Sequence, residues 1–374
     1  MPLSHSEHLY NNEPVEKSLW IALSSIHGLG SQTFCQLLKT FGNPCNVFSA
    51  SYKQLKEVVP ENIALEITKG IDDDALKDSQ YWLAQDHNHL VTLADPDYPK
   101  ALFEIQDPPP FLYAKGNLSL LNMPSIAIVG SRNASVQGEK NAEAFAQGLC
   151  GFGLCIVSGL ALGIDGAAHR GALAANGATI AVVGTGLDIV YPAKHRDLAH
   201  QIVERGLIVS EFALGTPSKP QNFPKRNRII SGLSLGCLVV EANLQSGSQI
   251  TARLSAEQGR EVFAIPGSIH SPMSKGCHQL IKQGAKLVDS LQDIVEELDL
   301  AASTQTISES NEIAENQANT KNVLIPLMGY EPISLENIVR LSGLTVSEVS
   351  SMLMLLELEG SVASLAGGKY QKIV

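Results

Sequence analysis

The middle of the chain alternates short, wholly apolar runs with longer stretches in which apolar residues recur at helical spacing. Strands that are apolar on both faces and separated by helices are typical of a parallel sheet covered on both sides. We therefore predict an α/β, doubly wound, Rossmann-like domain with helices such as Gly138–Cys150 and Ile164–Ala175. The predicted strands are Ile126–Val129, Leu154–Val157, Thr179–Val183, Leu207–Val209, Cys237–Val240 and Glu261–Ile265.

The segment before this domain has a different pattern. Residues 18–88 contain short helical runs, and a Gly28-x-Gly30 turn precedes SQTFCQLLKTFG, a helix for which Ser31 is the predicted N-cap. The pattern is SAM-like or helix-hairpin-helix-like, and its turn either grips a DNA phosphate or simply joins two helices of a small domain. Residues 92–118, rich in proline and aromatic side chains, predict an extended linker or edge strands.

The last part of the chain reads as a linker and a further domain. Residues 296–320 are polar and acidic, which is typical of a flexible linker. Two helical patterns and a hairpin around Gly367-Gly368 then predict a winged-helix-like domain over residues 321–374. Its second helix, in TVSEVSSMLMLLELEG, has three glutamates and no Lys or Arg. This favours partner docking or regulation over major-groove reading, with weak duplex contact as the alternative. The predicted domains are thus 1–88, 89–295 and 321–374.

Composition restricts the class of protein. The 374 residues are 44% hydrophobic and 17% charged, as in globular proteins. No apolar run reaches the roughly 18 residues of a membrane span, and the first twenty residues lack a secretory pattern, so we expect a cytoplasmic protein without membrane contact. Six scattered cysteines without a C-x-x-C pair predict reduced thiols, and the ten histidines show no metal-ligand spacing.

Charge is distributed unevenly along the chain. The net charge is −11, yet residues 120–289 carry 15 Lys/Arg against 11 Asp/Glu. Because nucleic-acid binding depends on local potential rather than on total charge, a positive centre between acidic ends is compatible with such a site.

Glycine turns follow several of the predicted strands. In open α/β sheets, ligands bind beyond the carboxyl ends of the strands, where turns and helix N-termini expose N–H groups. None of these turns matches G-x-G-x-x-G or a P-loop, so no dinucleotide or other cofactor is predicted. The turns are Gly130-Ser131-Arg132, the run from Ser158-Gly159 to Asp165, the run from Gly184 to Asp188, and Ser246-Gly247-Ser248.

A cluster of cations surrounds an aromatic residue in KPQNFPKRNR, residues 219–228. Such a cluster suits single-stranded nucleic acid, whose phosphates attract cations and whose bases stack on rings. Phe223 has two readings here, a base-stacking platform or a local core residue. For Arg132, the alternative to phosphate contact is an ion pair with Asp165 or Asp188. We find no nucleophile elbow, metal cluster or carboxylate pair, and therefore predict no enzymatic activity.

Seven motifs follow one another through the second domain. They are IAIVGSR at 126–132, VSGLALGID at 157–165, VVGTGLDIVYP at 182–192, FPKRNRIISGL at 223–233, VVEANLQSGSQITA at 239–252, GREVFAIPGS at 259–268 and GCHQLIKQGAKLV at 276–288. In this order they resemble the DNA-processing protein family DprA, also called Smf. The resemblance covers the whole second domain, and the flanking segments fit the longer family members.

The resemblance implies a bacterial, cytosolic, non-enzymatic protein that binds single-stranded DNA without sequence preference. It also implies protection of incoming DNA during natural transformation, loading of the RecA recombinase, and a homodimer formed through the Rossmann-like domain. The family's DNA contacts fall on Arg132, Phe223, Arg226, Asn227 and Arg228, and more loosely on Lys194 and Lys219. Together with the turn residues, the predicted DNA-binding set is Gly130, Ser131, Arg132, Ser158, Gly159, Lys194, Lys219, Phe223, Arg226, Asn227, Arg228, Gly247 and Ser248.

Two other functions remain open at this point. The fold is similar to nucleotide phosphoribohydrolases, but these have P-G-G-x-G-T-x-x-E where this chain has Q-S-G-S-Q-I-T-A, without the expected carboxylate. A purely protein-docking scaffold is the third possibility, and it leaves the basic residues unexplained.

Overall fold

The structure is a computed structural model that describes residues 13–71, 73–300 and 324–373. These residues form two compact units, a main unit with most of residues 13–300 and a C-terminal unit with residues 324–373. Within the described ranges, no single helix has the length and apolar character to cross a bilayer. Two consecutive C-terminal helices, 335–342 and 346–358, meet those criteria only jointly, and they are bent by 110°.

Six helices open the main unit and share one core. Trp20, Phe34 and Trp82 pack in this core against Phe111 and Tyr113 of the adjoining sheet, so the helices cover an edge of that sheet. Gly30, rather than the predicted Ser31, is the N-cap of the second helix. The helices are α1 (Glu13–Ser24), α2 (Ser31–Phe41), α3 (Pro44–Ser49), α4 (Tyr52–Lys56), α5 (Glu61–Thr68) and α6 (Asp73–Leu83).

A large sheet organises the rest of the main unit. Its strands in the described residues are β1 (Asn88–Thr92), β2 (Phe111–Gly116), β3 (Ser125–Val129), β4 (Cys155–Ser158), β5 (Thr179–Val182), β6 (Leu207–Ser210), β7 (Gly236–Val239), β8 (Glu261–Ala264) and β9 (Lys286–Leu287). Their order is β1-β2-β6-β5-β4-β3-β7-β8-β9. The strands from β3 to β9 pair in parallel, whereas β1 with β2 and β2 with β6 are antiparallel. The predicted strands therefore agree with the structure to within one residue at each end.

Helices cover both faces of the sheet, which confirms the predicted doubly wound fold. Alternate strand residues face opposite layers, since Ala127 packs with α11 to α13 and Ile126 packs with α8, α9 and α14. The helices are α7 (Lys100–Phe103), α8 (Val136–Gly151), α9 (Ile164–Ala174), α10 (Arg196–Arg205), α11 (Asn222–Leu233), α12 (Gly247–Glu257), α13 (Lys275–Lys282) and α14 (Leu291–Glu297).

The sheet reverses its winding direction beside β3. This strand has β4, the next strand of the chain, on one side and β7 on the other. Such a switch point leaves a crevice at the carboxyl ends of the strands, because the following connections depart to opposite faces.

The C-terminal unit contains two helices and a three-stranded sheet. The helices are α15 (Leu335–Ser342) and α16 (Val346–Leu358), and the strands β10 (Ile333–Ser334), β11 (Val362–Leu365) and β12 (Lys369–Lys372) pair in the order β10-β12-β11. This is the predicted winged-helix arrangement, with the hairpin turn at Gly367 and Gly368. Most of the predicted linker 296–320 lies outside the described residues, which resume at residue 324.

Candidate nucleic-acid interface

A cavity of about 700 Å³ opens at the switch point of the sheet. Its walls come from the turn after β3, the turn after β4, the first turns of α11 and the segment between β7 and α12. The polar and charged residues that line it are Ser131, Arg132, Asn133, Asp165, Tyr191, Ser218, Arg226, Asn227, Asn243, Gln245, Ser246, Ser248 and Thr251. Segments that are distant in sequence thus meet at one edge of the sheet.

Helix α11 divides the basic cluster between two directions. Phe223, Arg226 and Asn227 are spaced i, i+3 and i+4, so they share one face of the helix and all line the cavity. Arg228 is two positions beyond Arg226, and residues at that spacing do not face the same way. Its guanidinium forms ion pairs with Glu211 and Asp107. The structure therefore places the two arginines of FPKRNR in different environments.

Arg226 connects elements beneath the cavity. Its Nη1 donates to the carbonyl oxygen of Gly159 at 2.7 Å and also to the carbonyl oxygen of Val182, the last residue of β5. The side chain is 4% exposed, and its Nε is buried without a hydrogen-bond partner. Arg226 thus holds the ends of β4 and β5 against α11, and it is a brace of the cavity rather than an exposed cation.

Asp165 is the acidic counterpart of this brace. Its carboxylate accepts hydrogen bonds from the backbone N–H groups of Gly159 at 3.2 Å and Ala161 at 3.4 Å, which shapes the turn after β4. Burial raises the pKa of Asp165, and Arg226 acts in the opposite direction by favouring the carboxylate. Burial also lowers the pKa of Arg226 to about 10, still well above neutral pH, so the guanidinium stays charged.

Two glycines of the predicted set allow this close packing. A Cβ atom on Gly159 would overlap the guanidinium of Arg226, and one on Gly130 would overlap Ile164. Ser131, beside Gly130, donates its N–H to the carbonyl oxygen of Glu241 at 2.8 Å. That N–H group is therefore already hydrogen-bonded within the protein, whereas the sequence predicts that such glycine-turn N–H groups bind phosphate.

Arg132 provides a cation at the rim. Its side chain is exposed, and the guanidinium carbon lies 5.0 Å from the ring centroid of Phe223. Tyr191 is also close to Phe223, with the two ring centroids 5.8 Å apart. Among the described residues, Arg132 forms no ion pair with Asp165 or Asp188, the alternative considered from sequence. The rim therefore combines an exposed guanidinium with two adjacent rings.

The N-terminus of α12 forms another part of the cavity wall. Ser246 is its N-cap, and the Ser246 hydroxyl accepts a hydrogen bond from Ser248 N–H at 3.4 Å. A Cβ atom on Gly247 would meet no atom within 4 Å, so the first turn of this helix faces open space. Helix N-termini attract anions because their N–H groups lack intrahelical acceptors and the helix dipole is positive there.

The structure brings some predicted residues together and leaves others out. Gly130, Ser131, Arg132, Phe223, Arg226, Asn227, Gly247 and Ser248 all line the cavity. Ser158 is fully buried, and its hydroxyl donates to the carbonyl oxygen of Ile128 at 2.6 Å. Lys194 and Lys219 are exposed but not part of the cavity wall. Gly159 lies beneath the wall against Arg226.

Several lining residues were absent from the predicted set. They are Asn133, Tyr191, Asn243, Gln245, Ser246 and Thr251. The signal for most of them was available, because the polar run NLQSGSQIT directly follows an apolar strand at a predicted ligand-binding edge. Tyr191 was visible as an aromatic residue beside a proline in a strand-end turn, but its pairing with Phe223 requires the fold.

The arrangement suits an anionic ligand that carries rings. Phosphates fit the guanidinium of Arg132 and the N-terminus of α12, and flat rings fit Phe223 and Tyr191. In the described residues, no group of three His, Cys, Asp or Glu side chains is placed to hold a metal ion. The fold and this cavity define a Rossmann-like protein with a polar cavity at the switch point of its sheet, together with a winged-helix unit.

Comparison with known proteins gives the same architecture. Residues 89–299 match the family model described as DNA recombination-mediator protein A, and residues 309–368 match the DprA winged helix domain. The chain is 37% identical over 366 residues to protein Smf of Escherichia coli K12, covering 95% of each chain. A solved structure of DprA from Streptococcus pneumoniae is similar with a TM-score of 0.68 and 42% identity, over 75% of this chain and 97% of that one.

A further solved structure concerns single-stranded DNA binding by DprA from Helicobacter pylori. It has 32% identity and a TM-score of 0.52, and the match covers 57% of this chain and 96% of that one. The chain therefore belongs to the DprA (Smf) family of DNA-processing proteins.

Proposed function

We propose that this protein binds single-stranded DNA in the cavity at the switch point of the sheet. The observation that carries the proposal is the convergence there of Arg132, the Phe223 ring and the open N-terminus of α12. These groups provide cation, ring and helix-dipole contacts within one cavity of about 700 Å³. The single-stranded DNA binding named for the Helicobacter pylori relative supports it.

Within this proposal the residues have separate roles. Arg132 contacts phosphates, the positive end of the α12 dipole attracts them, and bases stack against Phe223 and Tyr191. Because these contacts are made to the DNA backbone and to the faces of the bases, binding should be largely independent of DNA sequence. Arg226 and Asp165 keep the cavity in shape and do not themselves need to touch DNA.

Binding fits the cavity better than hydrolysis does. Asp165 is the one acidic residue among the described lining residues, and its carboxylate is held by two backbone N–H groups. The phosphoribohydrolase considered from sequence would need a carboxylate free to act on substrate or water. We therefore favour a binding role over the hydrolase considered from sequence.

Membership in the DprA (Smf) family extends the proposal to the cellular role of the DNA binding. We propose that the protein processes incoming DNA during natural transformation, protects it and passes it to RecA, as a homodimer formed through the Rossmann-like domain. A mobility-shift assay with oligothymidylate, without and with RecA, tests this step. A RecA-dependent supershift is the expected result, and displacement of the protein without RecA retention on the DNA would contradict it.

Fluorescence anisotropy with labelled oligothymidylate tests the binding itself. If about five phosphates are neutralised per site, the logarithm of affinity should fall with that of salt concentration with a slope near −3.5. Arg132→Glu should weaken binding more than tenfold, since a charge-assisted contact is worth about 1.5–3 kcal/mol before repulsion is added.

Arg205→Glu is the matched control for that variant. Arg205 is exposed in the last turn of α10, which leads into the start of β6, so it lies toward the sheet edge opposite the cavity. It changes the net charge equally and should leave affinity nearly unchanged. Equal losses in both variants would show that binding follows total charge, and the proposed site would be wrong.

A further inference from the structure

Helix α16 of the C-terminal unit is apolar on two opposite faces. One face packs into the core of the unit through Val349, Leu353 and Leu356, all buried. On the other face, Met354 is 65% exposed and Leu358 is 77% exposed, with Leu355 beside them at 55%. A helix of a winged-helix domain needs only the first of these faces for folding, so the second is unexplained by stability.

Acidic residues border the exposed face along its length. With about 3.6 residues per turn, Ser347, Ser351, Met354, Leu355 and Leu358 form one stripe. Glu348 and Glu359 then fall along one border of that stripe and Glu357 along the other. Beside the stripe runs a shallow groove of about 340 Å³ lined by Leu344, Ser347, Glu348, Ser351 and Met352.

The charges around the exposed face of α16 favour one kind of binding partner over others. α16 contains no Lys or Arg, and its glutamates repel both DNA phosphates and anionic lipid headgroups. Lys372 and Lys369 are in β12, where the Lys372 ammonium lies 5.0 Å from the ring centroid of Tyr330. An apolar stripe with an acidic border is complementary to an amphipathic helix whose apolar face is flanked by Lys or Arg.

We propose that the exposed face of α16 is a docking site for a cationic amphipathic helix of a partner protein. Met354, Leu355 and Leu358 bury against the apolar face of that helix, and the flanking glutamates pair with its cations. No residue of this face lines the DNA cavity, so the proposal does not depend on DNA binding. It gives the acidic second helix of the winged-helix unit a function other than reading a DNA groove.

The test uses the full chain and a synthetic helical peptide of leucine and lysine in amphipathic order. Its affinity is measured by fluorescence anisotropy for the wild type and for a Leu355→Ser, Leu358→Ser double variant. We expect at least a tenfold loss in the double variant, with oligothymidylate binding unchanged. The matched control is Leu65→Ser in α5, which removes a leucine that is 48% exposed in the main unit and should have no effect.

The charge part of the proposal has its own measurement. Glu357→Gln with Glu359→Gln should weaken the lysine peptide several-fold, and a peptide with glutamate in place of lysine should not bind the wild type. Equal affinity for both peptides, or for wild type and serine variant, would overturn the proposal. Circular dichroism of each variant verifies that the unit is folded.

Two further outcomes would assign the face to another occupant and also overturn the proposal. If light scattering shows an oligomer that the serine variant dissociates, the occupant is a second copy of this chain. If the wild type but not the variant sediments with phosphatidylcholine vesicles, the occupant is a lipid surface.

Discussion

Replacing Arg226 by glutamine should destabilise the main unit while removing a residue that the DNA need not touch. The guanidinium makes two hydrogen bonds to buried carbonyl groups, of Gly159 and Val182. A bond from a charged donor is worth about 1.5–3 kcal/mol, and the shorter glutamine can replace at most one. The change also leaves Asp165 buried without the cation that most favours its carboxylate, a situation that costs about 3–5 kcal/mol when a full ion pair is broken. We expect a loss of about 3 kcal/mol.

Urea unfolding followed by tryptophan fluorescence measures this loss. Trp20 and Trp82 both lie in the core of the main unit, so the signal reports that unit. With a denaturant slope of about 3 kcal/mol per molar, the midpoint should fall by about 1 M. Arg132→Gln is the control, because that side chain is exposed and its loss should change stability by less than about 0.5 kcal/mol.

The two arginines should therefore show opposite profiles. Arg132→Gln is expected to lose DNA affinity with normal stability, and Arg226→Gln to lose stability first. If Arg226→Gln unfolds at the wild-type urea concentration but binds oligothymidylate weakly, Arg226 contacts DNA directly. The interpretation of this residue as a brace would then be wrong.

Three further predictions concern other buried contacts. Burial lowers the pKa of His169 to about 3 from the ordinary value of 6.5, so below about pH 6.5 the unfolded chain binds a proton that the folded protein does not. The free energy of unfolding should thus fall with acidification, by about 2 kcal/mol at pH 5 relative to pH 7.5. Urea unfolding at each pH should show a less steep fall for His169→Gln. Arg228→Gln should lower the melting temperature, since Glu211 stays buried without its cation, but DNA affinity of the folded fraction should be unchanged; a large loss in anisotropy would return Arg228 to the DNA site. Gly159→Ala should cost about 1–3 kcal/mol in urea unfolding because its Cβ overlaps the Arg226 guanidinium, and a wild-type midpoint would contradict the packing described.

The parallel sheet could be predicted because its signal is local. Runs such as Ile126–Val129 are short, apolar at every position and followed by glycine turns, which is typical of strands buried on both faces. The turns after these strands were recognisable for the same reason, since parallel strands place their carboxyl ends along one edge. Arg132 at the cavity and the winged-helix arrangement around Gly367 both followed from patterns of this kind.

The basic cluster shows what local sequence patterns could not predict. Residues 219–228 look like one patch of positive charge in sequence, yet α11 turns Arg226 and Arg228 in different directions. The carbonyl groups that hold Arg226 are 44 and 67 residues away along the chain, so no window of sequence contains them. Ser158 is a second example. The sequence predicts it at the site because it lies at the end of a strand, but its hydroxyl donates a hydrogen bond to the carbonyl oxygen of Ile128 within the sheet.

The sequence by itself determined the layered fold, the edge of the sheet at which the cavity opens and the kinds of residue found there. Only the tertiary structure decided which basic side chains are exposed to solvent and which are held by hydrogen bonds and ion pairs within the protein. The physical reason is that hydrophobic periodicity is a property of neighbouring residues, whereas the state of a charged side chain depends on partners brought from distant strands and turns.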